Sequence, residues 1–523
     1  MDIVSLLIPR PAPAVLFEAA KRHGDKTRFH TPAPVSWSEY ASLVKLLARF
    51  LVAQGVEKGE SVAMYAHNSL EWASASLAIQ SIGAVLVPIY PASTPAQRDY
   101  VLQHSDARYY FDQDGLLSVA GSRIATWSQA MEQSQANSDE VASRLANVSL
   151  DDTALMLYTS GTTGQPKGVP LTHRNVSQNS VDWLRCNEPA LHDNAVDLLW
   201  LPMSHIFGFG ELCLGNALGF ESHLLTPPEV LAAMPKIAPS VFMSVPAYWE
   251  KLASQAHLAS DPVTELRKLT GGKLRFCLSG GAGLRREVKE LFLEMGCLIV
   301  EGYGLTECAP TLTLNRPNDY RLDSVGKALP SVDLRIADDS EIQARGPNIF
   351  SGYYKDPQAT IEAFTDDGWF CTGDLGAFDA DGFLRIIGRK KEILVTAGGK
   401  NIPPTNIEMQ FQDDPYVDHV IVYGDGKKYL VAGIWPNREN VDALLGPNAT
   451  EQQVHSLLED RVQAVNKGLA RFETIKSFAV MLAPLSVENE LLTASLKIRR
   501  KKIYEHHHKT FEDLYAQPGE LRA

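Results

Sequence analysis

The chain is poor in cysteine, in positive charge and in unbroken apolar runs, and each shortage removes a class of protein. The six cysteines among 523 residues (Cys186, Cys213, Cys277, Cys297, Cys308 and Cys371) are widely spaced, with no C-x-x-C pair. That spacing excludes a disulfide-stapled scaffold, offers no zinc or dithiol redox motif, and reads as reduced, buried thiols of a cytosolic protein. Lysine plus arginine total 49 against 62 acidic residues, a net charge of −13, so no nucleic-acid partner is expected. The most apolar long stretch, Leu198 to Phe220, carries His205 and Glu211 and is broken by Pro202 and several glycines, which falls short of a spanning helix. The N-terminal segment lacks a basic stretch before its short apolar run, and Pro9, Pro11 and Pro13 interrupt it, so no signal peptide is expected. The expectation is a cytoplasmic protein, at most peripheral at the inner membrane face. No repeat or long low-complexity tract is visible. The polar stretch 129–139 reads as a surface loop. His506, His507 and His508 read as the exposed face of a terminal helix rather than a metal site.

What is present is an ordinary globular composition, 45% apolar and 21% charged. At roughly 100–200 residues per domain, the length suggests two to four domains. Helical spacing of Leu43, Val44, Leu47, Phe50 and Leu51 gives way to a buried strand from Ser61. A helix over Leu70–Ile82, a strand from Val85, a helix near Pro95–His104 and a strand from Ala107 continue the alternation. This is the pattern of βαβ units, hence an α/β fold with a large N-terminal domain of helix-covered, mostly parallel sheets. The short apolar runs 241–245, 274–281 and 296–304 read as further strands. The last two run into glycine-rich turns, where open α/β sheets bind ligands. After Arg389 two strand-like runs, a charged helix near 451–469 and a last strand predict a smaller, mobile α+β domain. The expected division is residues 1–390 and 391–523.

The strongest chemical signal is YTSGTTGQPKG at 158–168, which follows an apolar run and precedes LTHRN, a helix start. Glycines let backbone N–H groups approach an anion, hydroxyls add donors, and Lys167 within the loop adds a point charge, so the segment suits a phosphate. It is not a Walker A loop. It closely resembles the phosphate-binding signature of the adenylate-forming superfamily: acyl-CoA synthetases, luciferases and nonribosomal peptide adenylation domains. The resemblance extends along the chain through LPMSHIFG at 201–208, SGGA at 279–282, EGYGLTE at 301–307, DGWFCTGDLG at 367–376, GRKKEILVTAGGKNIPP at 388–404 and LTASLKIRRKK at 492–502.

The resemblance implies a role for each matched residue. Thr159, Ser160, Gly161, Thr162, Thr163, Gly164 and Lys167 would hold the ATP phosphates, and Gly281, Ala282, Gly302 and Tyr303 would frame adenine. Thr306 would contact phosphate, and Glu307, with Thr159, would hold Mg2+. Asp374 would hold the ribose hydroxyls with Arg389 as companion, and Lys497 would bridge the substrate carboxylate and α-phosphate. Lys391 matches the hinge of the small domain, Gly398 and Gly399 the loop lining the pantetheine tunnel, and Lys400 could meet a CoA phosphate. His205, beside Ile206 and Phe207, matches the residue between acyl and thiol sites, with Val245 and Gly280 in the same neighbourhood.

The stretch 367–404 resembles the long-chain fatty acyl-CoA synthetases in particular. Pro170, Ala247 and Cys371 depart from that group's usual residues, but none removes a required catalytic group. The implied activity uses ATP, Mg2+, a fatty acid and coenzyme A to make acyl-adenylate and then acyl-CoA, AMP and pyrophosphate. The alternatives are transfer of the acyl group to a carrier protein or other acceptor, a CoA ligase for a medium-chain or aryl acid, and a non-enzymatic acyl or nucleotide sensor. The sensor is disfavoured because Thr162, Lys167, Glu307, Asp374, Arg389 and Lys497 are all present.

Overall fold

The computed structural model describes residues 4–132, 138–159, 165–411, 414–486, 489–492 and 498–516. They form two compact units. The larger comprises residues up to Arg335 with Gln343–Thr372 and Phe378–Arg385; the smaller comprises Ile336–Ile342, Gly373–Ala377 and the residues from Ile386 onward.

The larger unit is built on two sheets. In the nine-stranded sheet, Ile299–Gly304, Phe276–Ser279, Val241–Ser244, Val196–Leu199, Glu221–Leu224 and Thr27–His30 lie side by side in that order, all parallel. Antiparallel strands flank this block, Thr311–Leu314 beside Ile299–Gly304 and Pro34–Ser36 beside Thr27–His30. The seven-stranded sheet has a parallel centre of Tyr109–Phe111, Ser61–Met64, Val85–Pro88 and Thr153–Thr159, closed by antiparallel strands at both edges.

Local sequence explains the helices that cover these sheets. Ser36 and Glu39 form a reciprocal capping box that starts helix Trp37–Ala53, whose Val44, Leu47, Phe50 and Leu51 are buried. Helix Leu70–Ser81 is buried all round from Trp72 to Ser81, which its alanine and serine content allows on every face. The stretch 129–139 is not simply a loop. Gln129–Glu132 belong to helix Trp127–Glu132, and Ser138 and Asp139 open helix Ser138–Ala146. Each helix is anchored by one buried residue, Ala130 and Val141, too few to produce a readable period.

In the smaller unit, strands Val417–Tyr423 and Leu430–Pro436 form an antiparallel pair, and Ile475–Val480 adds in parallel. Val454, Leu458 and Val462 of helix Glu451–Asn466 pack on one face at helical spacing. Ile503 and Phe511 pack on the other. The α/β class with a C-terminal α+β unit is as the sequence suggests. The histidine triplet differs: helix Arg500–His506 ends there, His508–Ala516 begins a second helix, and the His507 ring stands 5.8 Å from that of Trp435. Among the described residues no helix is long and apolar enough to cross a membrane.

Candidate active site

In the larger unit the phosphate-type loop joins two paired strands. Thr153–Thr159 and Lys167–Thr172 are antiparallel, with Thr159 opposite Lys167 and Tyr158 opposite Gly168. The sequence reading places Lys167 inside the loop; the structure makes it the first residue of the returning strand. Cross-strand partners project from one face, so Thr159 and Lys167 are fixed together at the loop's base. Ser160, Gly161, Thr162, Thr163 and Gly164 lie outside the described residues. The returning strand runs into a Thr172/Asn175 capping box that starts helix His173–Asn187.

A residue that the motifs do not single out links this hairpin to Glu307. Tyr354 N donates to Gly168 O at 2.9 Å, which docks segment 353–354 on the hairpin. Gly168 permits this approach, since a Cβ there would stand 3.2 Å from both Met156 Sδ and Tyr354 Cβ. Tyr353 then lies with its ring centroid 4.8 Å from Lys167 Nζ, and its hydroxyl donates to Glu307 Oε1 at 3.0 Å. Burial, and then the Glu307 charge, push the Tyr353 hydroxyl above the usual tyrosine range, so it remains a donor. Thr306 and Glu307 sit in the short 3-10 turn Thr306–Cys308. Phe350 N donates to Glu307 O at 2.8 Å, and Asn348 Nδ2 donates to Cys308 O and Thr311 O, both at 2.9 Å. At Gly304 no side chain fits, because a Cβ would fall 1.8 Å from Pro310 O.

The residues expected to frame adenine gather at the carboxyl ends of adjacent parallel strands. Ser244 pairs with Ser279 and Ser279 with Glu301, so Gly281 and Ala282 emerge beside Gly302 and Tyr303. Gly302 also has a packing reason, since a Cβ would meet Leu314 Cδ1 at 2.9 Å and Thr313 O at 3.0 Å. Glu301, to which the sequence reading gives no role, holds this corner. Its Oε1 accepts from Leu284 N at 2.9 Å and its Oε2 pairs with Lys289 Nζ at 2.5 Å, both side chains being buried. His205 caps helix Ile206–Leu218, Nδ1 accepting from Phe207 N at 3.2 Å. Phe207 closes on Gly280, its ring edge 3.1 Å from where a Cβ would be, so His205 and the SGGA turn belong to one corner.

The smaller unit carries the second group. Asp374 is buried, with Arg389 Nε 3.1 Å from its Oδ1. Glu341 braces both sides of that pair. Its Oε1 accepts from Gly373 N at 2.9 Å, and its Oε2 pairs with Lys390 Nζ at 2.8 Å. Lys390 also pairs with Asp339 at 2.6 Å, and the two carboxylates raise its pKa. Lys391 is exposed in the short turn Lys390–Glu392. Gly398 and Gly399 form the exposed tip of a hairpin between Leu394–Val395 and Asn401–Ile402, and Gly399 takes φ +72°. Lys400 Nζ lies 5.5 Å from the Phe472 ring centroid. Lys497 lies outside the described residues; Arg500, three positions on, is held by Glu408 through two bonds of 2.5 and 2.6 Å.

Residues 16–354 match the AMP-binding enzyme family, and residues 391–518 match the AMP-binding enzyme C-terminal domain. The long-chain-fatty-acid–CoA ligase FadD15 of Mycobacterium bovis is 32% identical over 92% of each chain. Human long-chain-fatty-acid–CoA ligase 6 is 27% identical over 92% of this chain and 82% of its own. Among solved structures, ATP-bound MatB from Rhodopseudomonas palustris aligns with a TM-score of 0.76 at 25% identity, over 96% of this chain and 100% of that one. Anthranilate CoA ligase AuaEII, in complex with anthranoyl-AMP, has the same fold, with a TM-score of 0.79 at 20% identity over 98% and 99% of the two chains. The chain belongs to the AMP-binding family of adenylate-forming enzymes. Its activity is that of an AMP-forming acid–thiol ligase of the acyl-CoA synthetase kind.

Proposed function

We propose that the protein joins a long-chain fatty acid to coenzyme A, converting ATP to AMP and pyrophosphate. The observation that carries this reading is the 32% identity to a long-chain-fatty-acid–CoA ligase across 92% of both chains. In the first half-reaction the fatty carboxylate attacks the α-phosphorus and pyrophosphate leaves. Thr159, Lys167 and the loop between them hold the phosphates, with Thr306 beside them; Tyr353 keeps the Glu307 carboxylate turned toward that site. The oxygen donors of Glu307 and Thr159 suit a hard cation, and Mg2+ bound there would neutralise phosphate charge. Gly281, Ala282, Gly302 and Tyr303 frame adenine, and Asp374 with Arg389 holds the ribose hydroxyls. Lys497 offsets the negative charge that builds between carboxylate and α-phosphate.

In the second half-reaction the CoA sulfur attacks the acyl carbonyl and AMP leaves. Residues 391–523 turn about Lys391 relative to residues 1–390, bringing Gly398 and Gly399 to the pantetheine arm, with Lys400 toward a CoA phosphate. His205 stands between acyl and thiol. The test is incubation of the purified protein with ATP, Mg2+ and carboxylic acids from short to long chain, with and without CoA, and identification of products by mass spectrometry. Acyl-CoA that peaks with long-chain acids is the expected result. Acyl-adenylate that persists unchanged when CoA is added overturns the acceptor, and a peak with short or aryl acids overturns the substrate.

A further inference from the structure

At the far side of the nine-stranded sheet, away from the strand ends that carry the adenine-side residues, three metal-ligating side chains converge. Strands Thr27–His30 and Glu221–Leu224 are parallel neighbours in which His30 pairs with His223. Side chains alternate along a strand, so Glu221 and His223, two positions apart, share a face, and His30 joins them from the next strand. One ligand atom from each of the three lies within 4.8 Å of the others. His30 Nε2 is 2.5 Å from Glu221 Oε1, and the two imidazole rings stack with centroids 4.1 Å apart at 10°. All three are partly exposed and open to an ion from solvent.

The chemistry of this set differs from that of the nucleotide site. Two imidazole nitrogens and one carboxylate are the ligands of many three-coordinate protein zinc sites that keep a fourth position for water. Mg2+ demands oxygen donors in octahedral geometry and is a poor match, whereas imidazole suits Zn2+ and its transition-metal neighbours. Metal–nitrogen bonds of about 2.0–2.1 Å in a tetrahedron put ligand atoms about 3.3 Å apart, an adjustment that separates His30 Nε2 from Glu221 Oε1, now 2.5 Å apart, and that side-chain rotation on two fixed strands supplies.

We infer that His30, Glu221 and His223 form a binding site for one Zn2+ ion, or a related divalent transition metal, that clips strand Thr27–His30 to strand Glu221–Leu224. The ion ties an outer element of the larger unit to its sheet, so binding raises that unit's melting temperature by mass action. The site stands apart from the proposed acyl-CoA chemistry and does not depend on it.

The test titrates ZnCl2 into the full-length protein in excess Mg2+, which saturates oxygen sites, and follows heat and thermal unfolding. One equivalent is expected to bind and to raise the melting temperature. His30→Gln, Glu221→Gln and His223→Gln should each weaken that binding at least tenfold, whereas His506→Ala with His508→Ala, which removes the two exposed histidines of the C-terminal triplet, should leave it unchanged. A visible ligand-field spectrum of tetrahedral, nitrogen-bound Co2+ in the unaltered protein gives a reading that does not rely on any variant folding. Equal Zn2+ binding by the wild type and the three site variants, or no stoichiometric binding by the wild type, overturns the inference.

Discussion

Tyr353 shows how one hydroxyl can matter to a site whose named residues lie elsewhere. It touches two residues to which the proposed mechanism gives phosphate and Mg2+ roles, the Lys167 ammonium through its ring and the Glu307 carboxylate through its hydroxyl. A hydrogen bond to a charged group contributes about 1.5–3 kcal/mol. Tyr353→Phe keeps the ring and removes the bond, so kcat/KM for ATP should fall about tenfold or more, with the melting temperature nearly unchanged. Steady-state kinetics across Mg2+ concentrations check this, and the loss should shrink as Mg2+ rises, because Glu307 is the group left unguided. An equal loss at every Mg2+ concentration would assign Tyr353 a packing role instead.

At the scale of elements, the turn after strand Phe276–Ser279 is held through a buried ion pair between helix Arg286–Glu294 and strand Ile299–Gly304. Glu301→Gln leaves Lys289 buried without its anion, which costs about 3–5 kcal/mol. Replacing both, Glu301→Leu with Lys289→Met, should recover most of the stability. It should still weaken ATP binding, because leucine leaves the Leu284 amide without the acceptor oxygen that glutamine retains; wild-type stability together with wild-type ATP affinity would show that Glu301 serves stability alone. Thermal melts and the KM for ATP separate the two outcomes. These braces also mark how far the sequence could be read. The strands, the capped helices and the strand that enters the loop before Lys167 follow from local signals such as alternation, Ser36-x-x-Glu39 and Thr172-x-x-Asn175, each complete within a few residues. Tyr353, Glu301 and Glu341 escape because their partners are brought near only by folding: Tyr353 is 46 residues from Glu307, and Glu341 is 49 from Lys390. The motif residues could be picked out by resemblance, but a bracing side chain sits in an ordinary strand or loop and leaves no local pattern.

For the molecule as a whole, the core of the larger unit sets how stability responds to pH. Arg28, Asp197 and Glu211 are all essentially unexposed there, with Arg28 donating to Asn216 at 3.0 Å, to Phe220 O at 3.3 Å and to Ser222. One guanidinium cannot neutralise two carboxylates. Burial pushes Asp197 up to about 6 despite Arg28, and burial together with the Asp197 charge raises Glu211 well above the usual carboxylate range. In the unfolded chain Glu211 is ionised above about pH 4.5, whereas in the folded chain it keeps its proton. The native state therefore binds more protons than the unfolded state across that window, and stability falls as pH rises from about 4.5 toward the folded pKa. Glu211→Gln mimics the protonated acid and removes this decline. Its melting temperature for the larger unit should match wild type near pH 5 and then gain on it by about 2 °C per pH unit, the equivalent of about 1.4 kcal/mol. The net charge of −13 also lowers stability at alkaline pH by self-repulsion, but the variant shares that term almost equally, so the difference between the two curves isolates Glu211. Two curves that stay parallel from pH 5 to 9 would mean that Glu211 is ionised in the folded core and that Arg28 is shared between both carboxylates.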